Sequence, residues 1–244
     1  MKRRERIKIL YNAFFEKNMP PFLKSKDGIL AARSPGKPLY VYAPSSYCEK
    51  SAFEFLRSAS EGLMGIIAPP KITEIFKNQK NQREIKQEQV LLAAALLNDL
   101  SENFNISGVV RPFDEDKSAL VSEWIKNFYA EALNFKASGL NAASLLKTKK
   151  LFGLFINGNP RAMGMYLPLK KEMARINLIY APPEYRRQGY ARNLTLELCR
   201  IVQNQGLIPV LYVRKNSTAA KMYESLGFKT AGELRELRFI EFNN

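Results

Sequence analysis

A chain of 244 residues, 46% of them apolar and 25% charged, suits one large globular domain or two small ones and excludes a disordered or fibrous protein. It has two cysteines, no histidine and no apolar run near the roughly 20 residues that span a bilayer, which rules out a histidine-based triad, a zinc site and a membrane span. The formal net charge of +15 is spread over both halves, so it reads either as a field that draws anionic guests or as a solvated basic surface.

The opening MKRRERIKIL is basic, but Tyr11, Asn12 and Glu16 interrupt the apolar run that a signal peptide needs, so a cytoplasmic protein is expected. Ile7, Leu10, Tyr11, Phe14 and Phe15 recur at helical spacing and predict an amphipathic helix packed on the protein. The alternative for such a basic helix is a membrane surface. PPFLKSKDG and ARSPGKP read as turn-rich stretches. PLYVYAP then reads as a strand, Tyr47 to Leu63 as a helix and MGIIAPP as a strand, a βαβ-like pattern. After a polar stretch, VLLAAALLNDL reads as a helix, and a domain boundary is placed near Asn105. The expected division is an N-terminal α/β domain over 1–106 and a second domain over 107–244.

In the second domain, GVVRPF predicts a short strand, and DEDKSALVSEWIKNFYAEAL a helix whose acidic start suits the positive helix end. LFGLFIN and RAMGMYLPL predict strands joined by a turn at Gly158 to Pro160, and ARINLIYA a third. APPEYRRQG reads as a loop, followed by a helix from Tyr190 to Gln205 with Ala191, Leu194, Leu198 and Ile201 on one face. PVLYVR is the next strand, Thr218 to Leu226 a short helix, and KTAGELRELRFIEF one or two closing strands. These elements predict a mixed, mostly antiparallel sheet with helices on both faces. Cys48 and Cys199, each in an apolar helical context, read as core residues.

INLIYAPPEYRRQGYARN carries the chemistry. A strand enters a proline-stiffened loop that opens a helix, and the first amides of a helix lack internal partners where its dipole is positive. Gly189 allows close backbone approach, Ala191 keeps the helix start open, and Arg186, Arg187 and Arg192 add charge. A pyrophosphate is the expected guest.

RRQGYA, with Arg186, Gly189 and Ala191 in place, matches the [QR]-x-x-G-x-[GA] motif of the GNAT N-acetyltransferases. The later NSTAAKMYESLGF, with Asn216, Ala219, Tyr223, Gly227 and Phe228, resembles that family's second signature. The spelling resembles most closely a two-domain branch with a glycine N-acyltransferase-like C-terminal part and a smaller, degenerate GNAT-like α/β unit in front. The resemblance implies an α/β (α+β) GNAT fold and acetyl-CoA, or another short acyl-CoA, as cosubstrate without a metal. It implies that Ile179, Tyr180 and Ala181 hold pantetheine through their backbone. It also implies that Arg186, Arg187, Gln188, Gly189, Tyr190, Ala191 and Arg192 bind the pyrophosphate, that Asn216 touches the cofactor near the thiol, and that Tyr223 is the general acid. Glu172 and Glu184 are candidate bases for the amine, with a water chain as the third option.

Each residue has a second reading. Asn216 is a natural helix N-cap, Tyr223 a packed aromatic, Gly227 a helix stop, and the arginines surface charge. The expected function is acyl transfer to a primary amine by direct attack. The alternatives are a non-catalytic CoA-binding sensor or scaffold and, last, an RNA-associated protein. Nucleic acid is the least expected partner because no RNP-type motif or GXXG clamp is present. The acceptor itself is left open.

Overall fold

The computed structural model describes residues 22–26, 29–33, 39–42, 49–59, 65–77, 85–96, 98, 108–133, 141–169 and 172–239. The expected helix around Ile7 to Phe15 lies outside them, as does Cys48. Among the described residues eleven strands form a single sheet in the order β1-β2-β3-β4-β11-β5-β10-β9-β8-β7-β6.

In the N-terminal half, β1 (Phe22–Lys26) and β2 (Ile29–Arg33) form a hairpin, followed by β3 (Leu39–Tyr42), α1 (Glu49–Ala59), β4 (Gly65–Ala68), α2 (Pro70–Lys77) and β5 (Ile85–Ala95). The C-terminal half runs β6 (Val109–Pro112), α3 (Ser118–Leu133), α4 (Ala142–Lys147), β7 (Leu151–Ile156), β8 (Asn159–Pro168) and β9 (Met173–Tyr180). It closes with α5 (Tyr190–Gln203), β10 (Ile208–Arg214), α6 (Thr218–Ser225) and β11 (Lys229–Phe239). Each half ends in the same succession of strand, helix, parallel strand, helix, strand: β3-α1-β4-α2-β5 and β9-α5-β10-α6-β11. This is the mixed, mostly antiparallel α/β sheet with helices on both faces that the sequence predicted.

The strand order shows how the halves are joined. The last strand of each half pairs with the parallel unit of the other: β5 lies antiparallel to β10, and β11 antiparallel to β4. The two exchanged strands also pair with each other, from Lys229 opposite Ala95 to Phe239 opposite Ile85. The expected boundary at 106/107 therefore falls between β5 and β6, while the sheet runs unbroken across it.

One expectation is corrected. VLLAAALLNDL was read as a helix, but its first part is the end of β5. Leu and Ala are good helix formers, and a continuous apolar run does not show which period it obeys. The slot between β10 and β11 decides it, because a strand covered on both faces needs no polar alternation. Leu91, Ala94 and Ala95 are all buried there. The hairpin β1–β2 and the helices α2 and α4 were also not foreseen. Lys26 lies opposite Ile29 at the end of this pairing.

Alternation along β5 and β10 assigns the faces. Leu92, Ala94, Leu211 and Val213 pack with α5 and α6, and the core under α1 and α2 lies on that same face. On the opposite face α3 and α4 cover Phe113, Trp124, Phe155, Met165, Leu178 and Tyr180. Further along that face lie Ile67, Leu91 and Leu234 with Tyr40 and Tyr212. No helix among the described residues is long and apolar enough to cross a membrane.

Candidate active site

The site starts where two parallel strands part. β9 and β10 pair only over Met173–Arg175 against Ile208–Val210. Beyond that, β9 stays with β8 and β10 with β5. A wedge opens toward the C-terminal ends of both strands, edged by their main-chain N–H and C=O groups.

A bulge turns β9 away. Met163 lies opposite Tyr180 and Met165 opposite Asn177, so β9 spends one residue more than β8 over the same interval. The extra residue puts Leu178 at φ 53°, a conformation that a leucine rarely adopts and that is characteristic of sites holding backbone in a set orientation. Gly164 makes room on the facing strand, since a Cβ there would sit 2.5 Å from Cδ1 of Ile179 and 3.0 Å from Cδ1 of Leu198. Neither Leu178 nor Gly164 was singled out from the sequence. Nothing local betrays a left-handed leucine inside an apolar strand.

After Ala181 the chain makes a 3-10 turn at Pro183–Tyr185 and reaches Gly189 at φ 80°, the N-cap of α5, with Arg187 at φ 60° just before it. The first helical bond runs from the Asn193 N–H to the Gly189 carbonyl at 2.9 Å. No side chain caps this end, and a Cβ on Gly189 would meet nothing within 4 Å. The amides of the first turn therefore open onto free space with the positive helix end behind them, a fit for an anion as large as a pyrophosphate.

Arg186, at the entry to this loop, is held by two partners. Its Nε donates to the Ala181 carbonyl at 2.9 Å, and its Nη2 pairs with Oε2 of Glu131 on α3 at 2.6 Å. The guanidinium ties the loop to the end of β9 and to α3. Tyr180 completes the tie: its hydroxyl donates to Oε1 of Glu131 at 3.4 Å, and burial, with the Glu131 charge beside it, raises its phenol above the ordinary value. Arg161 lies 4.4 Å over the Tyr185 ring and steadies the loop from β8. Glu131 was not foreseen, because its partner lies 55 residues away.

At the matching end of β10, Asn216 is exposed and left-handed at φ 62°. The N-cap of α6 is Ser217 rather than Asn216: its Oγ accepts from the Ala220 N–H at 3.1 Å and donates to the Arg214 carbonyl at 2.8 Å. That leaves the Asn216 amide free of a capping role. Tyr223 is 9% exposed and packs edge-on to Phe228 at 5.6 Å, in the cluster that holds Ala181 and Cys199. Burial, with a smaller contribution from Cys199, pushes its phenol well above the ordinary range.

The parallel run of β9 and β10 thus brings Ile179, Tyr180, Ala181, the 186–192 loop, Asn216 and α6 to one edge of the sheet. Glu172 is not among them. It is exposed at the other end of β9, about 25 Å of strand away, where its carbonyl accepts from the Ile208 N–H at 2.7 Å. Glu184 is exposed in the loop itself, its carbonyl accepting from Nε2 of Gln188 at 3.2 Å. Among the described residues no group of His, Cys, Asp or Glu side chains could hold a metal.

The fold resembles that of solved structures named as acetyltransferases. Residues 151–238 match the family described as FR47-like protein. Solved structures resemble nearly the whole chain. A GCN5-related N-acetyltransferase from Kribbella flavida superposes with a TM-score of 0.69 at 11% identity, over 97% of this chain and 96% of that one. A GNAT-family acetyltransferase from Colwellia psychrerythraea gives 0.59 at 15%, over 98% of each chain. A GCN5-related N-acetyltransferase-like protein from Streptococcus suis gives 0.58 at 13%, over 98% and 100%. No match was found among functionally curated proteins. The chain has the GNAT acetyltransferase fold.

Proposed function

We propose that the protein is an acyl-CoA-dependent N-acyltransferase that moves an acetyl or other short acyl group to a primary amine. The observation that carries this reading is the wedge between β9 and β10, with the uncapped N-terminus of α5 at its mouth. A pyrophosphate on the amides of Arg187 through Arg192 would leave the pantetheine arm to run along Ile179, Tyr180 and Ala181, where freed β9 backbone groups can pair with it. The FR47-like match and the GNAT neighbours support the same family placement. The two-domain branch with a glycine N-acyltransferase-like C-terminal part belongs to this reading too. In it, residues 1–106 shape the acceptor side and 107–244 carry the chemistry.

The amine nitrogen attacks the thioester carbonyl carbon, and the charge that develops on oxygen meets a fixed backbone donor at the β9 bulge. The carbon–sulfur bond then breaks, and Tyr223 delivers its proton to the departing sulfur while Asn216 holds that end of the cofactor. Burial keeps the Tyr223 phenol protonated, so it meets the departing sulfur with its proton in place. The amine loses its proton to water or to Glu184, since Glu172 is at the far end of the strand. The partners are acyl-CoA and a small-molecule or peptide amine, in a cytoplasmic setting.

The test is free thiol release from acetyl-CoA across a panel of amines, with Gly189→Asp as control. Turnover that the variant abolishes is expected. Acetyl-CoA binding without turnover of any amine would instead favour a sensor or scaffold.

A further inference from the structure

The loop that enters α5 is shaped by its own short bonds. The Tyr185 N–H donates to the Pro182 carbonyl at 2.9 Å, and Nε2 of Gln188 to that of Glu184 at 3.2 Å. Bonds of this range give a turn its curvature but do not orient it against the rest of the molecule. Arg186 reaches further, to a residue on the other face of the sheet. Glu131, in the last turn of α3, uses both carboxylate oxygens: Oε2 receives Nη2 of Arg186 at 2.6 Å, and Oε1 the Tyr180 hydroxyl at 3.4 Å.

Three observations make this tie a device for the loop rather than for the fold. The two charged side chains are 43% and 47% exposed, and ion pairs so open to water contribute little to folding. Glu131 is nevertheless held from the core, because the Tyr180 ring is buried and packs 6.2 Å from Trp124. Burial keeps that phenol protonated, so it donates to the carboxylate. The guanidinium also gives Nε to the Ala181 carbonyl at 2.9 Å, and a planar group bound on two sides has its direction fixed as well as its distance. Gly189, which opens the amides of α5, follows shortly after this fixed point.

We propose that Glu131 is a positioning residue of the acyl-CoA site, holding the amides of the 186–192 loop, through Arg186, in the arrangement that receives the pyrophosphate. This rests on the acyltransferase reading and adds to it a residue outside both sequence motifs. Glu131 acts through Arg186 and touches neither substrate. A loop already in its bound shape spares the ligand the cost of ordering it. Untied, and in that shape about one time in ten, it would bind roughly 10-fold more weakly.

The experiment titrates acetyl-CoA calorimetrically into the full chain as wild type, Glu131→Ala, Arg186→Met and the double variant. Glu131→Ala is expected to raise the dissociation constant roughly 10-fold. Once Arg186 is gone, adding Glu131→Ala should change nothing further, because the two residues form one tie. In thiol release the loss should fall on the KM for acetyl-CoA rather than on kcat. The ligand-free Tm of Glu131→Ala should drop by no more than about 3 °C. A glutamate that served only the fold would lower Tm and leave affinity alone. Unchanged affinity in Glu131→Ala, tighter binding because the freed guanidinium reaches the phosphates, or a further loss in the double variant beyond Arg186→Met would each overturn the inference. If wild type itself binds no acetyl-CoA, the acyltransferase reading falls, a result distinct from all of these.

Discussion

Tyr223 can serve the fold or the reaction, and its two readings separate cleanly by substitution. Tyr223→Phe keeps the ring against Phe228 and removes only the proton. A general acid then loses roughly 10²- to 10⁴-fold in kcat with little change in acetyl-CoA affinity. A packing residue would leave Phe neutral and show its cost in Tyr223→Ala instead. The same residue gives an alkaline signature. Burial raises both the Cys199 thiol and the Tyr223 phenol in the folded chain, so both hold protons that the unfolded chain has released. Their stabilisation is complete below the unfolded values, about 8.5 for the thiol and about 10 for the phenol, and is lost as pH rises past them. Urea midpoints measured across pH 7 to 11 should hold until about pH 8.5 and then fall. In Cys199→Ala the fall should begin near pH 10, the phenol's own value. A midpoint that rises through this interval would show that neither group is buried protonated. Gly189 offers a third contrast. Space above it is open, so Gly189→Asn, which tolerates positive φ, should keep most acetyl-CoA affinity, whereas Gly189→Asp places a like charge at the pyrophosphate and should abolish it.

At the level of elements, the exchanged strands set the expected behaviour of fragments. Residues 107–244 alone would leave both β10 and β11 without β5, the strand that joins them. Unpaired strands in mid-sheet favour aggregation, so this fragment should lack a cooperative unfolding transition and regain one when co-expressed with residues 1–106. A well-folded monomeric fragment would mean that β5 is dispensable. The strand was hard to read for the reason that makes it important. VLLAAALL spells helix by propensity, and only partners more than a hundred residues later in the chain hold it extended. By contrast the loop entering α5 was legible, because Pro182, Pro183 and Gly189 dictate their own backbone and the amide cradle follows locally. Tyr223 was reached through the resemblance of NSTAAKMYESLGF to a family signature, whereas Glu131 could not be reached that way. Its meaning lies in its meeting with Arg186, which is set by packing.

For the molecule as a whole, two similar halves share one sheet, and among the described residues they differ at their first crossover helices. The crossover helix of the first half, α1, carries Glu49 in its opening turn, a like charge where a phosphate would sit, while its counterpart α5 opens with glycine and arginines around it. One acyl-CoA per chain is therefore expected. With a formal net charge of +15, the whole surface also favours such a ligand at low ionic strength, so affinity should weaken as salt rises. The direct measurement is thermal unfolding of the full chain with increasing acetyl-CoA, alongside Gly189→Asp. A ligand held only by the folded state at 100 times its dissociation constant stabilises by about 2.7 kcal/mol, which at this size raises Tm by roughly 5 to 10 °C. That rise should saturate at one acetyl-CoA per chain and be absent in the variant. A folded protein whose Tm does not move at millimolar acetyl-CoA, or moves equally in Gly189→Asp, would contradict the assignment of the wedge and its loop to an acyl-CoA.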